Sequence, residues 1–104
     1  MEKNISPLLI SGEIVEIFNA IQGETWIKQE FILKTDQAYP VLINFVAFNK
    51  AQDQLSRCKI GDTVAVYFNP ESRTFKTSAG VIKWFTELKA WRIIINFNPK
   101  KYEK

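Results

Sequence analysis

Three groups of flat rings and cations stand out along the chain. Residues 84–91, Trp-Phe-Thr-Glu-Leu-Lys-Ala-Trp, place Trp84 and Trp91 seven apart around Lys89, and Trp26 lies close to Lys28 and Lys34. A third group, Arg73, Phe75 and Lys76, falls in one polar stretch. Rings offer π faces on which bases stack, at roughly 1–3 kcal/mol per base. Lysine and arginine offer cations for phosphates, a contribution that weakens with salt. Each residue also has a plain structural reading. An exposed tryptophan packs at a barrel rim or a subunit interface, lysines on strands protect sheet edges, and a basic loop residue is solvated.

Catalytic chemistry is poorly represented. The chain has no histidine, the commonest general base and metal ligand. No Ser, Cys or Lys sits in an activation motif. No glycine loop for phosphates occurs, since "IQGET" has one glycine and "SAG" reads as a turn. Glu13 and Glu16 are three apart, which puts them on opposite faces of a regular strand. The single cysteine, Cys58, allows neither an internal disulfide nor a cysteine-rich metal site. The expectation is a non-enzymatic protein without cofactor, metal or small-molecule substrate.

At 104 residues the chain is the size of one domain. Residues 1–97 read as that domain and residues 98–104 as a short basic tail without an acidic tip. The net charge of +3 is uneven. Residues 1–52 hold 4 basic and 6 acidic side chains, and residues 53–104 hold 10 and 5. A basic second half favours a polyanionic partner. No apolar run approaches the length of a membrane span, and the lone cysteine fits a reducing cytoplasm.

Positioning these side chains falls to strands. Apolar residues alternate with period two in five runs: Ile10 to Ile21, Thr25 to Asp36, Val41 to Phe48, Thr63 to Phe68 and Val81 to Ile95. Between the third and fourth, Asn49 to Cys58 is a short helix, with Asn49 as N-cap and Ala51, Leu55 and Cys58 on one stripe. Residues 69–80, polar and punctuated by Pro70 and Gly80, read as a loop. Three strands, a helix and two strands is the order of an all-β, five-stranded Greek-key OB-fold barrel. An SH3-like barrel lacks a helix of this length at that point.

The segments "FILKT" (31–35), "INFVAFNK" (43–50), "KIGDTVAVYF" (59–68) and above all "KWFTELKAWRI" (83–93) carry a family resemblance. They resemble a family of small bacterial OB-fold proteins defined as a domain of unknown function and similar to single-stranded-DNA-binding proteins. The likeness runs from about Ile10 to Ile93.

In the second run, Ile27, Phe31 and Leu33 face inward and Trp26, Lys28, Glu30, Ile32 and Lys34 outward. In the third run both faces are apolar, and periodicity leaves the choice open. The resemblance turns Leu42, Asn44, Val46 and Phe48 toward the ligand. It implies that Phe48 stacks a base and that Leu42 replaces an aromatic platform. In the fifth run Leu88 and Ala90 form the inward pair, which turns Phe85, Glu87, Lys89 and Trp91 outward and gives Trp84 the parity of the core.

The resulting candidate nucleic-acid contacts are Trp26, Lys28, Lys34, Asn44, Phe48, Arg73, Phe75, Lys76, Trp84 and Lys89. Phe85 and Trp91 are candidate interface residues. The function implied is largely sequence-independent binding of single-stranded DNA during replication, recombination or repair, with RNA open as a second polymer. A protein-interaction module of the same fold, without nucleic-acid binding, is the competing reading. A small groove gains from assembly into a homo-oligomer, a dimer or tetramer, which raises the effective concentration of sites on one strand.

Overall fold

The computed structural model describes residues 7–97; the tail read at 98–104 lies outside them. The elements are β1 (Leu8–Ile17), β2 (Ile21–Gln22), β3 (Ile27–Thr35), β4 (Leu42–Phe48), α1 (Lys50–Leu55), β5 (Thr63–Lys76) and β6 (Ile82–Ile95). The first apolar run divides in two, because β2 folds back to pair Ile21 with Lys28 and Gln22 with Ile27. The five long strands bond in a ring. β1 lies antiparallel to both β5 and β3, β3 to β4 and β5 to β6, and β4 meets β6 in parallel. This is the OB-fold barrel, with α1 between its third and fourth long strands.

One strand serves two neighbours at the seam. Leu8–Glu13 of β1 pairs with β5, and Gly12–Ile17 pairs with β3. At the crossover the backbones nearly touch, and a Cβ on Gly12 would stand 2.1 Å from the Lys34 carbonyl oxygen. Only glycine fits there. The register slips between Ile14 and Glu16, so that Glu13 faces Lys34 and Glu16 faces Ile32. Lys34 and Ile32 share a face, so Glu13 and Glu16 do too. The opposite-face expectation fails because a bulge adds a residue to the alternation.

Inside the ring, Phe31, Leu33, Phe45, Ala47, Val64 and Val66 are buried. The inward parity expected for β3 holds. In β4, Phe45 and Ala47 enter the core, and the Phe45 ring lies 5.5 Å from Phe31 and 5.1 Å from Phe68. α1 closes the barrel end with Ala51 and Leu55 buried, and Cys58 beyond it also buried. The Ile93 N–H donates to Gln54 Oε1 at 2.7 Å, which ties the helix to β6. Asn49 precedes α1 but makes no side-chain cap. It adopts φ 51, accepts the Ile27 N–H on Oδ1 at 3.1 Å, and donates its own N–H to the Ile27 carbonyl at 2.9 Å. Asparagine tolerates that left-handed turn, and its side chain pins β4 to β3 instead.

The largest departure is at residues 69–80. β5 continues through Asn69, Pro70 and Glu71 to Lys76 and forms a long hairpin arm with β6, from Phe68 facing Ala90 to Lys76 facing Ile82. Past Phe68, where the β1 pairing ends, β5 has β6 as its one partner strand among the described residues and forms an edge. An edge strand is where a sheet tolerates proline, and residues 69–76 are all exposed. Polar composition signals a loop there only if the partner strand is left out of account. The true turn is short: Thr77 N–H donates to the Val81 carbonyl, Gly80 N–H to the Thr77 carbonyl, and Gly80 has φ 84.

Candidate functional site

The register of three strands sets the outer face. Lys28 faces Phe48, Glu30 faces Val46, Ile32 faces Asn44 and Lys34 faces Leu42. On the other side of β4, Val46 faces Lys89. Lys28, Phe48 and Lys89 therefore stand side by side, although 20 and 41 residues separate neighbours in the chain. The Lys89 Nζ lies 5.0 Å from the Phe48 ring centre and 3.0 Å from Glu71 Oε1. At the hairpin tip, Trp26 covers Gly23, where an added Cβ would stand 2.3 Å from the indole. The Gly23 N–H donates to the Trp26 carbonyl at 2.8 Å, and Lys28 Nζ lies 6.0 Å from the ring centre. Trp26 is thus seated on one side and 40% exposed. Rings and ammonium groups alternate along this edge of the barrel, the arrangement that base stacking and phosphate pairing need.

Other predicted residues lie elsewhere. Lys34 is six residues along β3 from Lys28, about 20 Å away at the strand rise. It stands beside Leu42, which is 66% exposed and ends the face with an aliphatic side chain instead of a ring. The arm splits the remaining group. Arg73 faces Phe85 and Phe75 faces Lys83, whereas Trp84 faces Thr74 and Lys76 faces Ile82. Directly opposed residues share a face, so Trp84 and Lys76 project from one side of the arm and Arg73 and Phe75 from the other. Trp84 has the parity of Ala90 but lies beyond the barrel, with no core to meet, and is 73% exposed.

The two candidate interface residues also find neighbours within the chain. Arg73 sits 5.1 Å from the Phe85 ring centre and pairs with Glu87 at 3.3 Å. Trp91 is the extra residue of a bulge, because Tyr67 faces Arg92 but Phe68 faces Ala90. The Trp91 ring packs 5.1 Å from the Tyr67 ring, and the Arg92 guanidinium lies 5.7 Å from the centre of the Tyr67 ring. The bulge also resolves the seven-residue spacing. It moves the inward parity from Ala90 to Ile93, so neither Trp84 nor Trp91 is needed in the core.

Open space on this face divides into neighbouring clefts. One of about 280 Å³ is lined by Glu30, Asn44, Val46, Phe85, Glu87 and Leu88. Another of about 270 Å³ includes Phe18, Ile21, Lys28, Glu30 and Asn44. A shallower one of about 470 Å³ lies between Phe48, Glu71, Lys89 and Trp91. The sequence reading missed Glu71 as a member of the site and gave no role to Glu30, Glu87 or Tyr67. Alternation within Thr63–Phe68 carried the signal for Tyr67. The acids are placed by the hairpin register, which a loop at 69–80 conceals.

Among the described residues no group of three or more His, Cys, Asp or Glu is placed to hold a metal, and no helix is long and apolar enough to cross a membrane. Burial, reinforced by the Asp62 carboxylate, pushes the Cys58 thiol up to about 11. It is therefore protonated, and a poor nucleophile, at neutral pH.

The family model described as "Domain of unknown function (DUF3127)" matches residues 9–94. The chain belongs to this family. Among solved structures, the DUF3127 chain is similar to the mitochondrial single-stranded DNA binding protein Rim1 from S. cerevisiae. Two Rim1 structures give TM-scores of 0.68 and 0.66 at 17% identity, over 92% of this chain and 99% of that one. It is also similar to the SSB domain of a protein from Synechococcus sp., with a TM-score of 0.61 and 18% identity over 90% and 99% of the two chains. At such identities the DUF3127 chain shares the fold with these proteins. No curated protein matches it.

Proposed function

We propose that this protein binds single-stranded DNA without catalysis, along the outer face of β3, β4 and β6. The observation that carries the reading is the row Lys28, Phe48 and Lys89, with Trp26 at its end, on a barrel whose fold neighbours are single-stranded DNA binding proteins. Phe48 and Trp26 stack bases, Lys28 and Lys89 meet phosphates, and Arg73 and Phe75 extend the path along one side of the arm. Binding of this kind coats and protects exposed strands in the cytoplasm during replication, recombination or repair. A second reading rests on the other side of the arm, where Trp84 and Ile82 are exposed together. That side takes a protein surface, and a second copy of this chain there would join two grooves on one strand.

Titrating tryptophan emission with a mixed-sequence strand of roughly 30 nucleotides at two salt concentrations, against duplex DNA, tests the proposal. The expected result is quenching by the single strand alone, with affinity falling as salt rises. An unchanged emission together with no binding of a labelled strand would leave only the protein-interaction reading.

A further inference from the structure

β4 and β6 pair for two positions only, Val46 with Lys89 and Ala47 with Ala90. Before that point they splay apart. β6 follows β5 into the arm, with Phe85 facing Arg73 and Leu88 facing Pro70, while β4 stays with β3. The opening is the cleft of about 280 Å³, with Val46 and Leu88 as apolar lining, Phe85 as an aromatic wall, and Glu30, Asn44 and Glu87 as polar groups.

Its chemistry differs from that of the lysine row. Glu87 has a side chain only 13% exposed and is paired with Arg73, whereas Glu30 and Asn44 have no side-chain hydrogen bond or ion pair among the described residues. Glu30 faces Val46 and is diagonal to Asn44, about 7–8 Å apart at the backbone, so both heads reach one ligand edge. A carboxylate here repels a phosphate and accepts N–H donors. Cytosine, adenine and guanine carry an exocyclic amino group, and carboxylate to cytosine N4 is an established pairing. Thymine offers an oxygen acceptor at the equivalent position, which the Glu30 carboxylate repels. Asn44 both donates and accepts, so it can complete the edge of a splayed base while Phe85 supplies an aromatic surface.

We infer that the cleft where β6 leaves β4 is a base-selective subsite that takes amino-bearing bases, such as cytosine, and disfavours thymine. The inference rests on the single-strand binding proposed above. It makes the protein selective at one position along a path that is otherwise indifferent to sequence.

The test compares labelled oligodeoxycytidine and oligothymidine of equal length by fluorescence anisotropy at one salt concentration. Oligodeoxycytidine is expected to bind about tenfold more tightly, the discrimination of one good polar base contact. Glu30→Gln removes a negative charge and so shifts both affinities; the readout is their ratio, which should move toward one in Glu30→Gln and in Asn44→Ala. Glu13→Gln, an exposed carboxylate on β1 outside the cleft, should leave the ratio in place. Equal affinity of the native protein for both strands overturns the subsite and leaves the single-strand reading intact, whereas binding of neither overturns both. A cytidine preference that survives both cleft substitutions, in variants whose thermal melts match the native one, overturns the assignment to these residues.

Discussion

The Lys89 ammonium stands 5.0 Å from the centre of the Phe48 ring, and the two residues come from strands that meet in parallel for two positions only. This short closure brings a cation and a ring together on the outer face, and Lys28 joins them from the next strand. On the function proposed above, the Phe48 ring stacks a base and the two lysines neutralise its flanking phosphates.

Phe48→Ala should therefore weaken single-strand binding by about 1–3 kcal/mol, with each 1.4 kcal/mol a factor of ten. The ring is half-buried on the outer face and outside the core cluster, so the fold should persist. Equilibrium titration with the same strand, with a circular dichroism melt as control, checks both halves of the expectation.

Glu71 pairs with Lys89 at 3.0 Å while itself mostly exposed. An exposed pair of this kind contributes about 0–1 kcal/mol to stability. Glu71→Gln should cost little in melting temperature, release Lys89 for phosphate and steepen the salt dependence of binding. A slope of log affinity against log salt that does not steepen would show that Glu71 does not hold Lys89 back from phosphate.

At Gly12 a Cβ would collide with the Lys34 carbonyl, a backbone group that cannot move alone. Gly12→Ala should cost about 1–3 kcal/mol or more, as overpacking does, and open the seam where β1 passes from β5 to β3. Urea unfolding measures the loss, and faster amide exchange at Asp36, whose N–H donates to the Ser11 carbonyl across that seam, would localise it.

Burial, with the Asp62 carboxylate adding to it, raises the Cys58 thiol from 9.0 to about 11. Below pH 9 folded and unfolded chains both hold the proton. Between pH 9 and 11 the unfolded chain releases it and the folded chain keeps it, so stability falls as pH rises through that window. The melting temperature of Cys58→Ala should fall less steeply there than that of the native protein. At pH 8 the native thiol should react slowly with a disulfide reagent until urea unfolds the chain.

Much of this was legible in residue order. Alternation in 31–35 placed Phe31 and Leu33 inside, the apolar stripe of Ala51, Leu55 and Cys58 placed the helix against the barrel, and the order of elements identified the OB-fold. These are local properties, because a strand or helix with one buried face writes its period into its own residues. Tertiary structure alone decided the rest. The polar stretch 69–76 is strand because β6 is there to pair with it. Glu13 and Glu16 share a face because β1 bulges against β3, and Trp91 leaves the alternation because its strand bulges against β5. The neighbours of Lys89 are Phe48 and Glu71 because β6 meets β4 on one edge and β5 on the other. Register between strands distant in sequence is set by closure of the whole barrel, and no single segment contains that information.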